Sequence, residues 1–288
     1  MVLFFNHPNR CAICLSSKAY LKVVHKYYLH LSLKQKLTYL IPEFFWPCIP
    51  YQFVNRVRNV KYTKVFFQKR YWVECLHCGL FKAFPEFSEV ELNEFYKKVF
   101  WEKTNYNYVN LSDNIVSTRT KSQFAFITKH LKTEPEFFTD FGAGHCNAIR
   151  FAIQLNFAKN YQVVDPSTFS ALVALNYGVH HVANLAGARK SDFIFSSHSL
   201  EHVHSLNETL KHFRRLTRPN ALLFIEVPNI DKRKLREGNH VPHTYCFSET
   251  SIVSVFKTFG FQLVNPNALE ISYTGGLRAL FQKIDNDG

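Results

Sequence analysis

The stretch that most constrains this chain is Phe137-Phe138-Thr139-Asp140-Phe141-Gly142-Ala143-Gly144-His145-Cys146-Asn147, in which an apolar run meets an acid and two glycines and then turns helical. This order predicts a strand, a tight loop and a helix N-terminus. Glycines let backbone approach a ligand closely, and the loop and helix start present unpaired N–H groups. The pattern serves equally as a cofactor cradle or as an ordinary strand-to-helix turn that uses glycines. A dinucleotide fingerprint, G-x-G-x-x-G, requires a third glycine where Asn147 stands. What remains is D-x-G-x-G, with Asp140 at the strand end, where a carboxylate can face a cationic ligand rather than a pyrophosphate. Only 10 of the 288 residues are Gly, against 29 Phe and 14 Tyr, so two glycines after Asp140 stand out.

From residue 137 onward short apolar runs alternate with helical patterns, the signature of an α/β, doubly wound, mostly parallel sheet. Strands are expected at 137–140, 161–165, 181–184, 192–196 and 221–227, with helices at 148–155, 170–177 and 206–216. A last helix over 248–259 and closing strands at 261–264 and 278–283 complete the pattern. Ligands in such sheets bind beyond the carboxyl ends of the strands. Asp140, Asp165 and Ser197 fall at those ends, and an acid closing the second strand suits a pair of ribose hydroxyls, whether of NAD or of S-adenosylmethionine.

The N-terminal part reads differently. Cys11-Ala12-Ile13-Cys14 and Cys75-Leu76-His77-Cys78 are two C-x-x-C pairs among seven cysteines, the four-thiolate set that a structural Zn²⁺ takes. The alternative is a relic ribbon that no longer holds metal, since 60 residues separate Cys14 from Cys75. The intervening segment carries the charge: residues 15–73 hold eleven Lys/Arg and one acid, Glu43, so +10 of the net +13 lies there. Lys18, Lys22 and Lys26, with Leu21, Val24, Tyr28 and Leu31, predict a helix over 19–40 with one basic and one apolar flank. A basic, aromatic insertion of this kind fits an anionic membrane surface, a nucleic acid, or a solvated basic face over an aromatic mini-core. Helices are further expected over 89–98 and from a Ser112-Asp113-Asn114 cap to Leu131, with a domain boundary near 112, giving units at 1–112 and 113–288. The chain shows no apolar run of membrane-spanning length and no leader pattern, so a cytoplasmic protein, peripheral to the membrane at most, is expected.

Taken together in order, these motifs resemble a class I S-adenosylmethionine-dependent methyltransferase with an N-terminal zinc ribbon, a group that includes sugar C-methyltransferases. The resemblance rests on Cys75-Leu76-His77-Cys78-Gly79, Asp140-Phe141-Gly142-Ala143-Gly144 and Val164-Asp165-Pro166-Ser167. It continues through Ser191 to Val203 with its Leu200-Glu201-His202-Val203, through Ile225-Glu226-Val227-Pro228-Asn229, and through His243-Thr244-Tyr245-Cys246-Phe247-Ser248. The resemblance implies that Gly142, Ala143 and Gly144 pass under the methionine and ribose of S-adenosylmethionine, with Asp140 near its amino group and Asp165 on the ribose hydroxyls. It places Asn184 near the adenine and Ser197 and His198 beside the sulfonium. His243 is the implied base, with His240 and Tyr245 as further catalytic residues, and Cys11, Cys14, Cys75 and Cys78 are the implied zinc ligands. One departure matters: the glutamate of the family's Y-x-E-H is Pro242 here, which puts carbon methylation in doubt.

The leading expectation is methyl transfer to a small-molecule, sugar or nucleotide-sugar acceptor. A base-amino methyltransferase is disfavoured, since Ser196-Ser197-His198-Ser199 stands where D/N-P-P-Y/F/W would be. Two other classes compete: a zinc-containing RNA- or anionic-membrane-binding protein with a degenerate methyltransferase domain, and an NAD-dependent oxidoreductase.

Overall fold

The computed structural model describes Cys11, Ile13, the backbone of Leu21–Tyr27, and residues 70–84, 88–96, 117–230 and 243–284. The N-terminal elements are β1 (Leu21–Tyr27), β2 (Arg70–Cys75), β3 (Phe81–Phe84) and α1 (Glu89–Phe95). The helix expected over 19–40 is corrected within its described part, where β1 runs antiparallel to β2 with Leu21 opposite Cys75 and Tyr27 opposite Arg70. Residues four apart share a side in both a helix and a strand, so the lysine spacing fitted both periods, and long-range pairing chose the strand. The rest of the basic insertion lies outside the described residues, as does the expected boundary near 112.

The larger unit begins with α2 (Thr118–His130), capped by the Ser117 hydroxyl, which accepts from the Thr120 N–H at 3.1 Å. That cap stands in the role expected of Ser112-Asp113-Asn114, which lie outside the described residues. Then follow β4 (Phe137–Phe141), α3 (Asn147–Gln154), β5 (Asn160–Val164), α4 (Thr168–Asn176), β6 (His180–Val182) and β7 (Ser191–Ser197). The chain continues through α5 (Leu206–Leu216), β8 (Thr217–Pro228), β9 (Tyr245–Cys246), α6 (Glu249–Thr258), β10 (Phe261–Leu263), β11 (Leu269–Ile271) and β12 (Gly276–Lys283). The large sheet has the order β10-β12-β8-β7-β4-β5-β6, with β11 paired to β12. Strands β4 to β8 are parallel, and β12 returns antiparallel to β8. The chain leaves β4 toward β5 and β6 on one side and comes back to β7 and β8 on the other, so the switch point lies between β4 and β7.

Strand alternation sorts the core. In β7, Phe193 and Phe195 face α2 and α3 while Ile194 faces α5 and α6; in β8, Phe224 opposes Leu223 and Ile225 in the same way. The high Phe content is spent here: Phe124 stacks on Phe195 at 5.8 Å, Phe195 on Phe224 at 4.9 Å and Phe138 on Phe193 at 5.6 Å. Each buried ring contributes on the order of 2 kcal/mol of transfer free energy, plus its ring–ring geometry.

The small antiparallel sheet has the order β1-β2-β3-β9, and its last strand comes from the C-terminal half of the chain. Phe81 pairs with Cys246 and Lys82 with Tyr245, and the Ala83 N–H donates to the Thr244 carbonyl at 3.0 Å. Cys11, Ile13, Cys75, Cys78 and Leu80 share one continuous apolar cluster with Tyr245, Phe247 and Ile252.

Candidate active site

The glycine loop is held from three sides. Gly142 has φ +68, and its N–H donates to the Val164 carbonyl at 2.8 Å, tying the end of β4 to the end of β5. Its carbonyl accepts from the Ser199 hydroxyl at 3.1 Å, and a Cβ at Gly142 would sit 2.1 Å from that oxygen. Glycine is therefore required by backbone angle and by space, and the space is taken by the segment after β7. Ala143 turns the loop, its carbonyl accepting from the Cys146 N–H at 2.7 Å. Gly144, at φ +51, donates its N–H to Asp165 Oδ2 at 2.9 Å.

Cys146 is the N-cap of α3, left-handed at φ 58 and without a side-chain cap bond of its own. Asp140 replaces that cap from the adjoining strand: its Oδ2 accepts from the Ile149 N–H at 3.2 Å. Burial, and then the charge of nearby Asp165, push the Asp140 carboxyl up to about 8, against the opposing pull of the Ile149 N–H. Asp165 is also buried; its Oδ1 accepts from the Ser167 N–H at 2.8 Å and the Ser170 hydroxyl at 3.1 Å. Asn184 is exposed after β6, where its Oδ1 accepts from the Ala186 N–H at 3.0 Å.

The second half of the site forms beyond β7. Ser197 Oγ accepts from Gln123 Nε2 of α2 at 2.9 Å. His198, left-handed at φ 52, lies between two carboxylates, Nδ1 at 3.3 Å from Glu201 Oε1 and Nε2 at 3.5 Å from Glu226 Oε1. Glu226 is anchored in turn by Arg119, whose Nε and Nη2 donate to Oε1 at 2.9 and 2.6 Å. The Glu201 carbonyl accepts from the Thr244 N–H at 2.7 Å, which docks the 243–246 segment. The His202 and His243 rings meet edge to face at 4.7 Å, and Tyr96 packs edge-on to His202 at 5.6 Å. The ligating atoms of Glu201, His202 and His243 all lie within 4.8 Å of one another. Burial alone would raise the Glu201 carboxyl; His198, His202 and His243 together hold it below the usual carboxylate range.

Tyr245 was expected at the acceptor. Instead it is buried, its hydroxyl donating to the His204 carbonyl at 3.1 Å and accepting from the Leu206 N–H at 3.3 Å, so it braces the start of α5. His240 and Cys14 lie outside the described residues. Sequence reasoning did not single out Arg119, Gln123, Ser199, Glu201 or Glu226 for a role. The last three sat within motifs that had been recognised, whereas Arg119 and Gln123 come from a helix with no motif at all.

Cys11, Cys75 and Cys78 form a buried cluster of free thiols, with Cys11 and Cys78 sulfurs 3.9 Å apart. Tetrahedral zinc with Zn–S bonds of about 2.3 Å sets its sulfurs roughly 3.8 Å apart, so the spacing suits a metal. Hydrogen bonding among the three sulfurs, reinforced by burial, pushes the Cys78 thiol far up, because adjacent thiolates have no cation to share. Gly79, at φ +69, closes the turn by donating its N–H to the Cys75 carbonyl at 2.7 Å.

A family model described as a methyltransferase domain matches residues 122–265, half of the chain. The chain belongs to this family. It is an S-adenosylmethionine-dependent methyltransferase, and the oxidoreductase reading and the reading of a degenerate domain end here. In fold the methyltransferase is similar to 1,6-didemethyltoxoflavin-N1-methyltransferase of Burkholderia thailandensis, solved with 1,6-didemethyltoxoflavin and S-adenosylhomocysteine bound. The two are 18% identical over 74% of this chain and 96% of that one, with a TM-score of 0.50. It is also similar to an S-adenosylmethionine-dependent methyltransferase of Mesorhizobium loti, at 12% identity over 56% and 98% of the two chains and a TM-score of 0.46. No curated protein matches the sequence. Among the described residues no helix is long and apolar enough to cross a membrane.

Proposed function

We propose that the methyltransferase acts on a small-molecule acceptor, of sugar or nucleotide-sugar type, seated between Ser197 and His243. The observation that carries the cofactor side is the pair of buried acids at the switch point, Asp140 and Asp165, which have no cation beside them among the described residues. A ligand bearing a cationic amino group and a ribose diol suits that pair. Gly142, Ala143 and Gly144 would line its floor, Asp165 would accept from the ribose hydroxyls, Asn184 would flank the adenine, and Ser197 and His198 would face the reacting end. When bound, S-adenosylmethionine supplies an electrophilic methyl group on a sulfonium. The protein's own task is to align the acceptor and to take its proton, and His243 is the base we assign, as a nearly buried imidazole facing the same space. Titration calorimetry with S-adenosylhomocysteine tests the cofactor side, and absence of binding to folded protein would reject it. A screen of sugars and nucleotide sugars for acceptor-dependent release of S-adenosylhomocysteine tests the acceptor side; turnover confined to another chemical class would replace this reading.

Cys11, Cys75 and Cys78, with Cys14 from its C-x-x-C partner spacing, are proposed to hold a structural zinc. The cluster's role follows from connectivity: the β2–β3 turn carries Cys75 and Cys78, and β3 bonds directly to Thr244 and Cys246, on either side of Tyr245. A metal there would fix the strand against which His243 is placed. Co²⁺ substitution reads it out, since thiolate ligation gives a charge-transfer band that Cys75→Ser would weaken.

A separate partner for residues 15–73 is favoured by the charge concentrated there. Loss of binding to anionic vesicles or to RNA on deleting the segment, with S-adenosylhomocysteine affinity retained, would make it a localisation element.

A further inference from the structure

The buried carboxylate of Glu201 is the group the proposed chemistry leaves unused. It is wholly buried, and neither of its oxygens makes a conventional hydrogen bond among the described residues. A naked buried carboxylate is costly unless a positive partner compensates it. The compensation comes from imidazoles on three backbone positions: His198 at 3.3 Å, His202 at 3.7 Å, and His243 with its ring nitrogens inside the same 4.8 Å cluster. The remaining groups facing it are the Tyr96 hydroxyl and the Cys246 thiol, neither of them cationic, and both raised by burial and then by the charge of Glu201 itself. On the far side of His198, Arg119 is already committed to Glu226.

We propose that Glu201 is the positioning residue of the active site, its carboxylate orienting the imidazoles of His202 and His243 and stabilising the imidazolium that forms when His243 takes a proton from the acceptor. The proposal rests on the reading of His243 as base. The balance is simple. The acceptor O–H or C–H bond breaks, a His243 N–H bond forms, Glu201 stays ionised throughout, and the proton leaves to water through the more exposed His198 or His202 rings. The geometry also explains why His243 needs no acid beside it in sequence. The Glu201 carbonyl, bonded to the Thr244 N–H at 2.7 Å, brings a carboxylate from another loop to the same place.

A bidentate or tridentate metal site at Glu201, His202 and His243 is the rival use of these atoms. Donors sharing one ion at bond lengths of about 2.1 Å cannot lie more than roughly 4.2 Å apart, so the cluster would have to contract to bind one.

Proton NMR on the S-adenosylhomocysteine-bound, full-length protein tests the proposal, using the downfield N–H resonance of an imidazole held to a carboxylate. We expect this resonance, assigned to His202 or His243 with [¹⁵N]histidine, in the wild type and in Glu201→Asp, and its loss in Glu201→Gln. Persistence in Glu201→Gln, or absence from the folded wild type, would overturn the proposal. So would stoichiometric Mn²⁺ or Co²⁺ binding abolished by Glu201→Gln. Cofactor calorimetry on each variant confirms folding, and His202→Asn provides a second route should Glu201→Gln not fold: it should remove one partner's resonance and leave that of His243. If His243→Asn keeps acceptor turnover, the base assignment fails while the Glu201 resonance with His202 still stands, so the two failures are distinguishable.

Discussion

Asp140 and Glu201 are both wholly buried carboxylates close to the same cleft, and their environments drive them in opposite directions. Asp140 has one backbone N–H and a second acid for neighbours, and is pushed up to about 8. Glu201 has three imidazoles, and is held low despite equal burial. Desolvation is common to both, so the neighbours decide the sign. The difference teaches where each charge is meant to be met: at the glycine loop by something that arrives, at the histidine cluster by the protein itself.

The two regions touch at Gly142 and Ser199, and the largest expected effect comes from disturbing that contact. Gly142→Ala should cost about 3–5 kcal/mol in chemical denaturation, from the clash with Ser199 and the left-handed backbone together. Ser199→Gly in the same chain should recover the larger, steric share. A Gly142→Ala protein of unchanged stability would break the picture of two halves joined there.

Asp165→Asn removes charge from the glycine-loop half only, and should weaken S-adenosylhomocysteine binding by about 10- to 100-fold, a loss of about 1.5–3 kcal/mol, measured by calorimetry. Equal loss from a change in the histidine cluster would blur the division between the halves.

A pH series on ligand-free protein separates the acids directly. The native Asp140 carboxyl binds its proton up to about 8, against its ordinary 3.8, so between these values the native state holds more protons than the unfolded one. Its contribution to stability is full below pH 3.8 and is lost as pH rises through about 8, at no more than about 1.4 kcal/mol per pH unit. Asp140→Asn should flatten that slope, and a parallel slope in the variant would show that Asp140 is not its source.

The smallest effect is expected at the edge of the histidine cluster. Arg119→Ala leaves Glu226 buried without its guanidinium, but the Arg119 side chain is 36% exposed and water replaces part of the pair, so about 1 kcal/mol of stability should be lost.

Much of the sheet was legible because its signals are local. Strand runs such as 192–196 and 221–227 are short, apolar and bounded by polar residues, and the α5 pattern over 206–216 matches the helix residue for residue. The glycine pair and the acid at the end of β5 were legible for the same reason. The segment around Leu21 misled, since a spacing of four fits helix and strand alike.

The sequence by itself determined the alternation of strands and helices, the D-x-G-x-G turn and the two cysteine pairs, because each depends on residues adjacent in the chain. Only the tertiary structure decided that Ser199 fills the space over Gly142, that Asp140 caps α3 from a strand, and that Arg119 and Glu226 meet. It alone brought Glu201 to His243 and joined β9 to the cysteine-bearing sheet. These contacts link residues tens of positions apart, where burial and charge compensation, rather than local propensity, choose the partner.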